Sequence, residues 1–224
     1  FTKSVGIATP YIEQAVGFWL FGGSEAASVR NWAPNSTTSR ATVTGTPVYE
    51  RGKVALTPVN YLDTGEQLDP QGAFTMIAVC TASLQTYCGT WHSGITDAML
   101  YSTSNTSSLY FAAEGSGSGL GPISFNPGQN LRFIAGTKTV QDVTMVYQHD
   151  GTNLLSSSGI AGNRNPSANT YRVGPNGGVG DQLDTTVQYH AANLLFPLAL
   201  SEAQILEMYD YLKALLAGRG VAML

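Results

Sequence analysis

The chain has 224 residues, 43% of them hydrophobic, enough for a sizeable core in one large β domain. Only 12% are charged, so Ser, Thr, Asn, Gln and Gly must dress the surface. The net charge is −4 and the 11 Lys and Arg are scattered, which excludes nucleic acid as the main partner, and no apolar run is long enough to span a bilayer.

No signal peptide is visible at the N-terminus, and the opening Phe1 implies an initiating residue or a longer leader upstream. "AVGFWLF" (15–21) reads as a buried strand that ends at a Gly-Gly turn. "RATVTG" (40–45) alternates like a half-exposed strand, and "KVALT" and "NYLDTG" (53–65) read as two short strands split by Pro58. "GAFTMIAVCTA" (72–82) is the strongest strand. Its Phe74, Met76, Ala78 and Cys80 face one way and Ile77 and Val79 the other, so both faces must be covered and the strand sits centrally. Cys80 and Cys88 flank "TASLQTY" at hairpin-like spacing, which leaves open both a disulfide across a strand pair and two reduced cysteines in a strand and a loop. There is no CxxC or Cys/His cluster, so a structural zinc site is not expected.

"CGTWHSG" reads as a loop, followed by strands in "GITDAMLYS" (94–102) and "SSLYFAAEG" (107–115). "GSGSGLGP" (115–122) is a turn or loop within the domain, because strand patterning resumes at once. "NLRFIAGTKT" (130–139) and "QDVTMVYQHDG" (141–151) form a meander, with His149 expected in water beside a tight turn. An irregular loop (160–169), the strand "TYRVG" (170–174) and a last strand "TTVQYHAANLLFP" (185–197) follow. No repeat and no composition break divides the chain, which predicts a single domain over 1–224.

A helix over about 201–217 closes the chain. Ser201 and Gln204 have the spacing of a capping box, and Glu202 suits the positive end of the helix dipole. Ile205, Leu206, Tyr209, Leu212 and Leu216 form an apolar stripe, Glu207, Asp210 and Lys213 can face water, and Gly218 is a stop signal. A dozen or so strands separated by turns, then one helix, predict an all-β, two-sheet antiparallel sandwich with one C-terminal helix.

The pieces "LRFIAGTKT", "VTMVYQHDGTNLL" and "YRVGPNGGVGDQLDTTVQYHAANLLFPLALSEAQI" resemble the laminin-G-like, concanavalin A-like jelly-roll family. "FTMIAVCTA" and "VALTPVNYLDTG" look like that family's middle and early strands, so the resemblance covers most of the chain and is most specific in its closing segment. It implies a jelly roll whose terminal helix packs at the edge or end of a sheet. The long helix and the low-charge surface are also similar to phage or prophage versions of this domain, found in tail fibres and other virion proteins. That resemblance implies a virion location, with a secreted protein as the alternative.

The same sandwich carries glycoside hydrolases and lyases. A retaining hydrolase needs two carboxylates close together, which on a strand means spacings of two or four. Glu13, Glu25, Glu50, Glu66 and Glu114 are each isolated, and Asp181 and Asp184 are three apart in a Gly-rich loop. Gln188 and His190 come nearest to a lyase pattern, but His190 reads better as a packed histidine. No nucleophile elbow or P-loop is present, so no catalytic activity is expected. Sugar sites on sandwiches use rings with a polar edge. The candidate ligand-binding residues are Tyr87, Trp91, His92 and Asp97 in "TYCGTWHSGITD", with Tyr101, Asn105 and Tyr110 in the next segment. The opposing reading makes Trp91 a core cap or an interface residue. Many laminin-G-like domains hold calcium, and Asp181 and Asp184 could supply oxygens, but no dense Asp/Asn pattern supports it, so no cofactor is expected. The expected partners are a cell-surface glycan or receptor and other virion proteins, in a homo-oligomer such as a trimer, with no membrane insertion. The alternative function is a purely structural virion module for subunit assembly or for capsid or tail decoration, without sugar binding.

Overall fold

The computed structural model describes residues 10–69, 72–82, 86–92, 95–103, 108–113, 128–160, 169–175 and 187–224. In chain order the first strands are β1 (Gly17–Leu20), β2 (Thr42–Thr44), β3 (Val48–Glu50), β4 (Lys53–Leu56), β5 (Tyr61–Gln67), β6 (Phe74–Ala82) and β7 (Thr86–His92). They are followed by β8 (Ile95–Thr103), β9 (Ser108–Ala113), β10 (Gly128–Lys138), β11 (Val143–His149), β12 (Leu154–Ile160), β13 (Thr170–Val173) and β14 (Gln188–Phe196). The α-helices among the described residues are α1 (Glu25–Ser28) and α2 (Glu202–Gly218).

The strands form two antiparallel sheets. The larger has the order β12-β11-β10-β6-β14-β4-β3, and the smaller β2-β5-β13-β7-β8-β9. One edge of β14 is shared: its residues 188–190 pair with β4, and its residues 192–195 pair with β1. The split strands around Pro58 and the β10–β11 pair follow the sequence pattern, and β12 adds a third strand to that meander. The segments 115–122 and 161–168 lie outside the described residues.

Strand β6 is central and covered on both sides, as its two apolar faces require. Phe74, Met76, Ala78 and Cys80 join the core between the sheets, with Trp19, Tyr87, Tyr171 and Leu195. Ile77 and Val79 join a second core with Phe133, Leu194, Phe196 and the inner side of α2. The helix therefore packs on the outer face of the larger sheet, as a third layer, and not at a sheet edge or end. A sheet apolar on both faces needs that cover, because its outer face would otherwise leave Ile77, Phe133 and Phe196 in water.

The capping box of α2 is formed in both directions: Ser201 Oγ accepts from Gln204 N, and Ser201 N donates to the Gln204 side chain. The buried stripe is Ile205, Met208, Tyr209, Leu212 and Leu216. Leu206 belongs to the outer face, 41% exposed, and Met208 takes the place expected for it. The cause is rotation: the docked face is centred on 205, 208, 212 and 216, and residue 206 falls to one side.

Cys80 and Cys88 are free and buried. They belong to opposed sheets, so hairpin spacing does not describe them. Burial raises both thiol pKa values, that of Cys88 to about 11, so both stay protonated at neutral pH. The turn after β1 needs Gly22, whose φ is +107° and whose missing Cβ would lie 2.3 Å from the Gly52 nitrogen.

A fully buried Leu212 predicts that Leu212→Asp costs about 3 kcal/mol or more, whereas Leu206→Asp changes stability by about 0.5 kcal/mol or less. Urea denaturation of both variants checks this, and equal losses would contradict the outer-face docking.

Candidate functional site

The segment 86–97 is not a loop. Trp91 and His92 are the last residues of β7, and Asp97 lies in β8, with a bulge between Thr90 and Trp91. The strand forms because β7 finds partners on both edges, β13 and β8. Gly89 permits that approach: a Cβ there would lie 2.4 Å from the Ala98 carbonyl oxygen. Tyr87 is fully buried between the sheets and cannot meet a ligand. Tyr101 is half-buried and sits opposite Tyr110 of β9. The side chains of Trp91, His92, Asp97 and Tyr110 lie outside the described part, as do Asn105, Asp181 and Asp184 altogether. The topology thus gathers the backbone of Trp91, His92 and Asp97 at one end of the β7–β8 pair and puts Tyr87 in the core.

His190 is packed, as expected, but its partner is a side chain. Its ring Nε2 lies 3.1 Å from Gln188 Oε1, and both residues are fully buried. Phe21 meets the ring edge-on. Burial lowers the His190 pKa from 6.5 to about 3, so the ring is neutral and Nε2–H donates. A polymeric substrate cannot reach this Gln188/His190 pair. His149 is not solvated: it is 5% exposed and its ring stacks on Tyr209 of α2 with centroids 3.5 Å apart. Burial lowers its pKa as well. The helix that covers the sheet also covers the turn after β11.

The loop at 30–40 was silent in the sequence and holds the best-defined surface. Residues 30–34 alternate: Arg30, Trp32 and Pro34 are exposed, Asn31 and Ala33 are buried. The stretch runs as an extra extended segment beside β1, since Trp32 N donates to the Phe18 carbonyl. Asn31 completes that pairing with its side chain. Its Oδ1 accepts from Phe18 N and Ala33 N, and its Nδ2 donates to the Val16 carbonyl. Trp32 is 46% exposed, with the Arg30 guanidinium carbon 3.8 Å from its ring centroid.

Glu66, isolated in the sequence, anchors this loop from beneath. It is 1% exposed. Its Oε1 accepts from Thr38 N at 2.8 Å and from Asn31 Nδ2 at 3.4 Å, and its Oε2 accepts from Thr37 Oγ1 at 2.6 Å. Thr38 Oγ1 lies 2.8 Å from Oε1 and 2.7 Å from the Thr64 carbonyl, and shares its single proton between them. A cleft of about 470 Å³ opens beside Glu66, lined by Val16, Thr37, Gln67, Leu68, Asp69 and Phe74 among others. Two carboxylates border it, but the Glu66 oxygens are taken by loop donors and are not free to attack or to give a proton. Among the described residues no three His, Cys, Asp or Glu side chains come together to hold a metal, and no helix is long and apolar enough to cross a membrane.

Hydrogen bonds to a buried charge contribute about 1.5–3 kcal/mol each, so Glu66→Gln, which turns an amide NH₂ toward donors, costs about 2–4 kcal/mol. The denaturation midpoint measures it, and an unchanged midpoint would refute the anchor. For His190 the unfolded state takes up a proton below pH 6.5 that the folded state refuses until about pH 3. Its contribution is therefore lost as pH falls, by roughly 2–3 kcal/mol between pH 7 and 4.5. His190→Gln should flatten that part of the stability–pH curve, and parallel curves for the two proteins would exclude it.

No family model and no curated protein sequence matches the chain. Solved structures do match. The binding domain of botulinum neurotoxin serotype C1 aligns with TM-score 0.60 and 11% identity, covering 89% of this chain and 52% of that one. The binding domain of botulinum neurotoxin DC in complex with SialylT gives 0.59 and 12%, covering 89% and 51%. A mutant Trypanosoma rangeli sialidase displaying trans-sialidase activity gives 0.60 and 14%, covering 93% and 35%. The chain spans about half the length of the toxin binding domains and about a third of the sialidase. At such identities the likeness is one of fold, a two-sheet β-sandwich.

Proposed function

We propose that the chain is a non-catalytic carbohydrate- or receptor-binding module of the concanavalin A-like jelly-roll kind. The observation that carries this reading is the sandwich shared with toxin binding domains, one of them in complex with SialylT. Two features of this chain support binding without turnover: the carboxylate beside the cleft is consumed by loop hydrogen bonds, and the Gln188/His190 pair is sealed in the core. The end of the β7–β8 pair, with Trp91, His92 and Asp97, is the proposed contact surface; Tyr101 and Tyr110 pair at the other end of the hairpin, opposite Thr86, and are not part of it. We place the module on a phage or prophage tail fibre, as a homo-oligomer. The support for that placement is the 12% charged, Ser/Thr/Asn-rich composition of the chain.

A glycan array probed with the purified protein tests the reading, and binding to at least one saccharide class is expected. Trp91→Ala should weaken that binding more than tenfold, about 1.4 kcal/mol, with the melting temperature nearly unchanged. A variant that melts much lower would make Trp91 a core residue, and an array without any bound glycan would falsify the module itself.

A further inference from the structure

Arg30 and Arg40 form an antiparallel bridge, directly opposite one another, and both are exposed. Paired residues in an antiparallel register project to the same face, where like charges repel. Trp32, two residues from Arg30 in the same alternation, shares that face and lies under the Arg30 guanidinium. Lys53, Lys138 and Arg172 each have a carboxylate within 3.6 Å, while Lys213 and Arg219 are engaged by the Tyr209 hydroxyl and the Phe21 carbonyl. Among the described residues Arg30 and Arg40 have no such carboxylate. The protein carries a net −4, so this pair is not part of a general basic surface.

The backbone that presents these groups is fixed. Asn31 N donates to the Ser39 carbonyl, Ala41 N to the Val29 carbonyl, and Trp32 N to the Phe18 carbonyl. The Asn31 side chain and the Glu66 anchor hold the loop from below. The backbone therefore places two arginines and an indole on one face, with no carboxylate among the described residues paired to either arginine. An anion between the arginines removes the repulsion, and a guanidinium fork matches a carboxylate in two parallel hydrogen bonds. The indole, 46% exposed even with Arg30 over one face, offers apolar surface to the C–H face of a sugar ring.

The geometry points to Arg30, Arg40 and Trp32 as a subsite for an acidic saccharide, one bearing a carboxylate. This rests on the saccharide-binding reading and adds a second contact, on a loop far in sequence from the β7 strand that carries Trp91. The arginines take the carboxylate and Trp32 stacks on the ring.

Calorimetric titration with 3′-sialyllactose and with lactose, which differ by the acidic sugar, tests it. The expected result is at least tenfold tighter binding of sialyllactose, about 1.4 kcal/mol. Arg30→Gln and Arg40→Gln should each erase that preference, and Trp32→Ala should weaken sialyllactose more than tenfold. Arg40→Gln should also keep or raise the melting temperature, because it relieves a like-charge pair. A structural arginine would lower it, which makes the melting curve an independent readout. Binding of neutral glycans on the array with no preference for sialyllactose, or a preference that survives both arginine changes, would overturn the subsite and leave the binding module standing. Tighter capture of duplex DNA or heparin than of sialyllactose through the same arginines would overturn it too, as a general anion surface. Absence of all saccharide binding would remove the module and the subsite together.

Discussion

Strands β6 and β14 must be buried on both faces, and the rest of the architecture answers that demand. From residue 191 to 196, β14 has no exposed position. A register shift between His190 and Ala192 lets Ala191 and Ala192 both stay inside. One face is covered by the smaller sheet and the other by α2, which makes three layers from two sheets. Burying a side chain such as Leu194 or Phe196 contributes about 1.5–3 kcal/mol, and the stripe of α2 is the apolar partner that realises it on the outer side. The opposed inner faces are tied by polar contacts as well. Tyr171 of the smaller sheet donates its hydroxyl to Asn193 Oδ1 of the larger, and its ring stacks on Trp19. Such a bond within a core specifies how the two sheets register, where apolar contacts alone would tolerate sliding.

The loop at 30–40 depends on a second device, a buried carboxylate without a cation. Glu66 replaces the ion partner with four donors from Asn31, Thr37 and Thr38. Hydrogen bonds of this kind draw the loop down onto β5. Asn31 belongs to both systems, since its side chain also completes the backbone pairing of β1. The outward residues of the loop therefore inherit rigidity from groups that never touch solvent. Binding by pre-positioned side chains loses less conformational entropy than binding by a mobile loop.

What was legible in the sequence follows from how local each signal is. The two faces of β6, the split at Pro58 and the Ser201/Gln204 cap are local patterns, and they appear where the sequence places them. Long-range pairing was not legible. The Gly and Ser around Trp91 suggest a turn, yet β7 is a strand because β13, some eighty residues away, supplies its second edge. Tyr87 looks like a surface aromatic until that pairing turns it inward. His149 beside its turn looks solvated until α2 lays Tyr209 over it. The role of Glu66 needs Thr37 and Thr38, nearly thirty residues upstream, to be seen as its donors. Trp32 carried no signal, because the alternation of exposed and buried residues from 30 to 34 is visible only in the fold, in a stretch that belongs to no named strand.

The low charge content sets how such a protein can recognise an anion. A net −4 repels acidic glycans at long range, but at physiological salt screening confines that repulsion to about 8 Å. Attraction must therefore be built locally, from few cations brought close together. Arg30 and Arg40 meet that requirement because the backbone bridge, and not their own side-chain preferences, holds them opposite each other. In a charge-rich surface a neighbouring carboxylate would quench such a pair. Here the polar, uncharged dressing of Ser36, Thr37, Thr38 and Ser39 offers hydrogen bonds and no counter-charge within the loop. The same composition that looks bland in sequence thus leaves two positive charges unanswered, and the fold fixes them where an anion can answer.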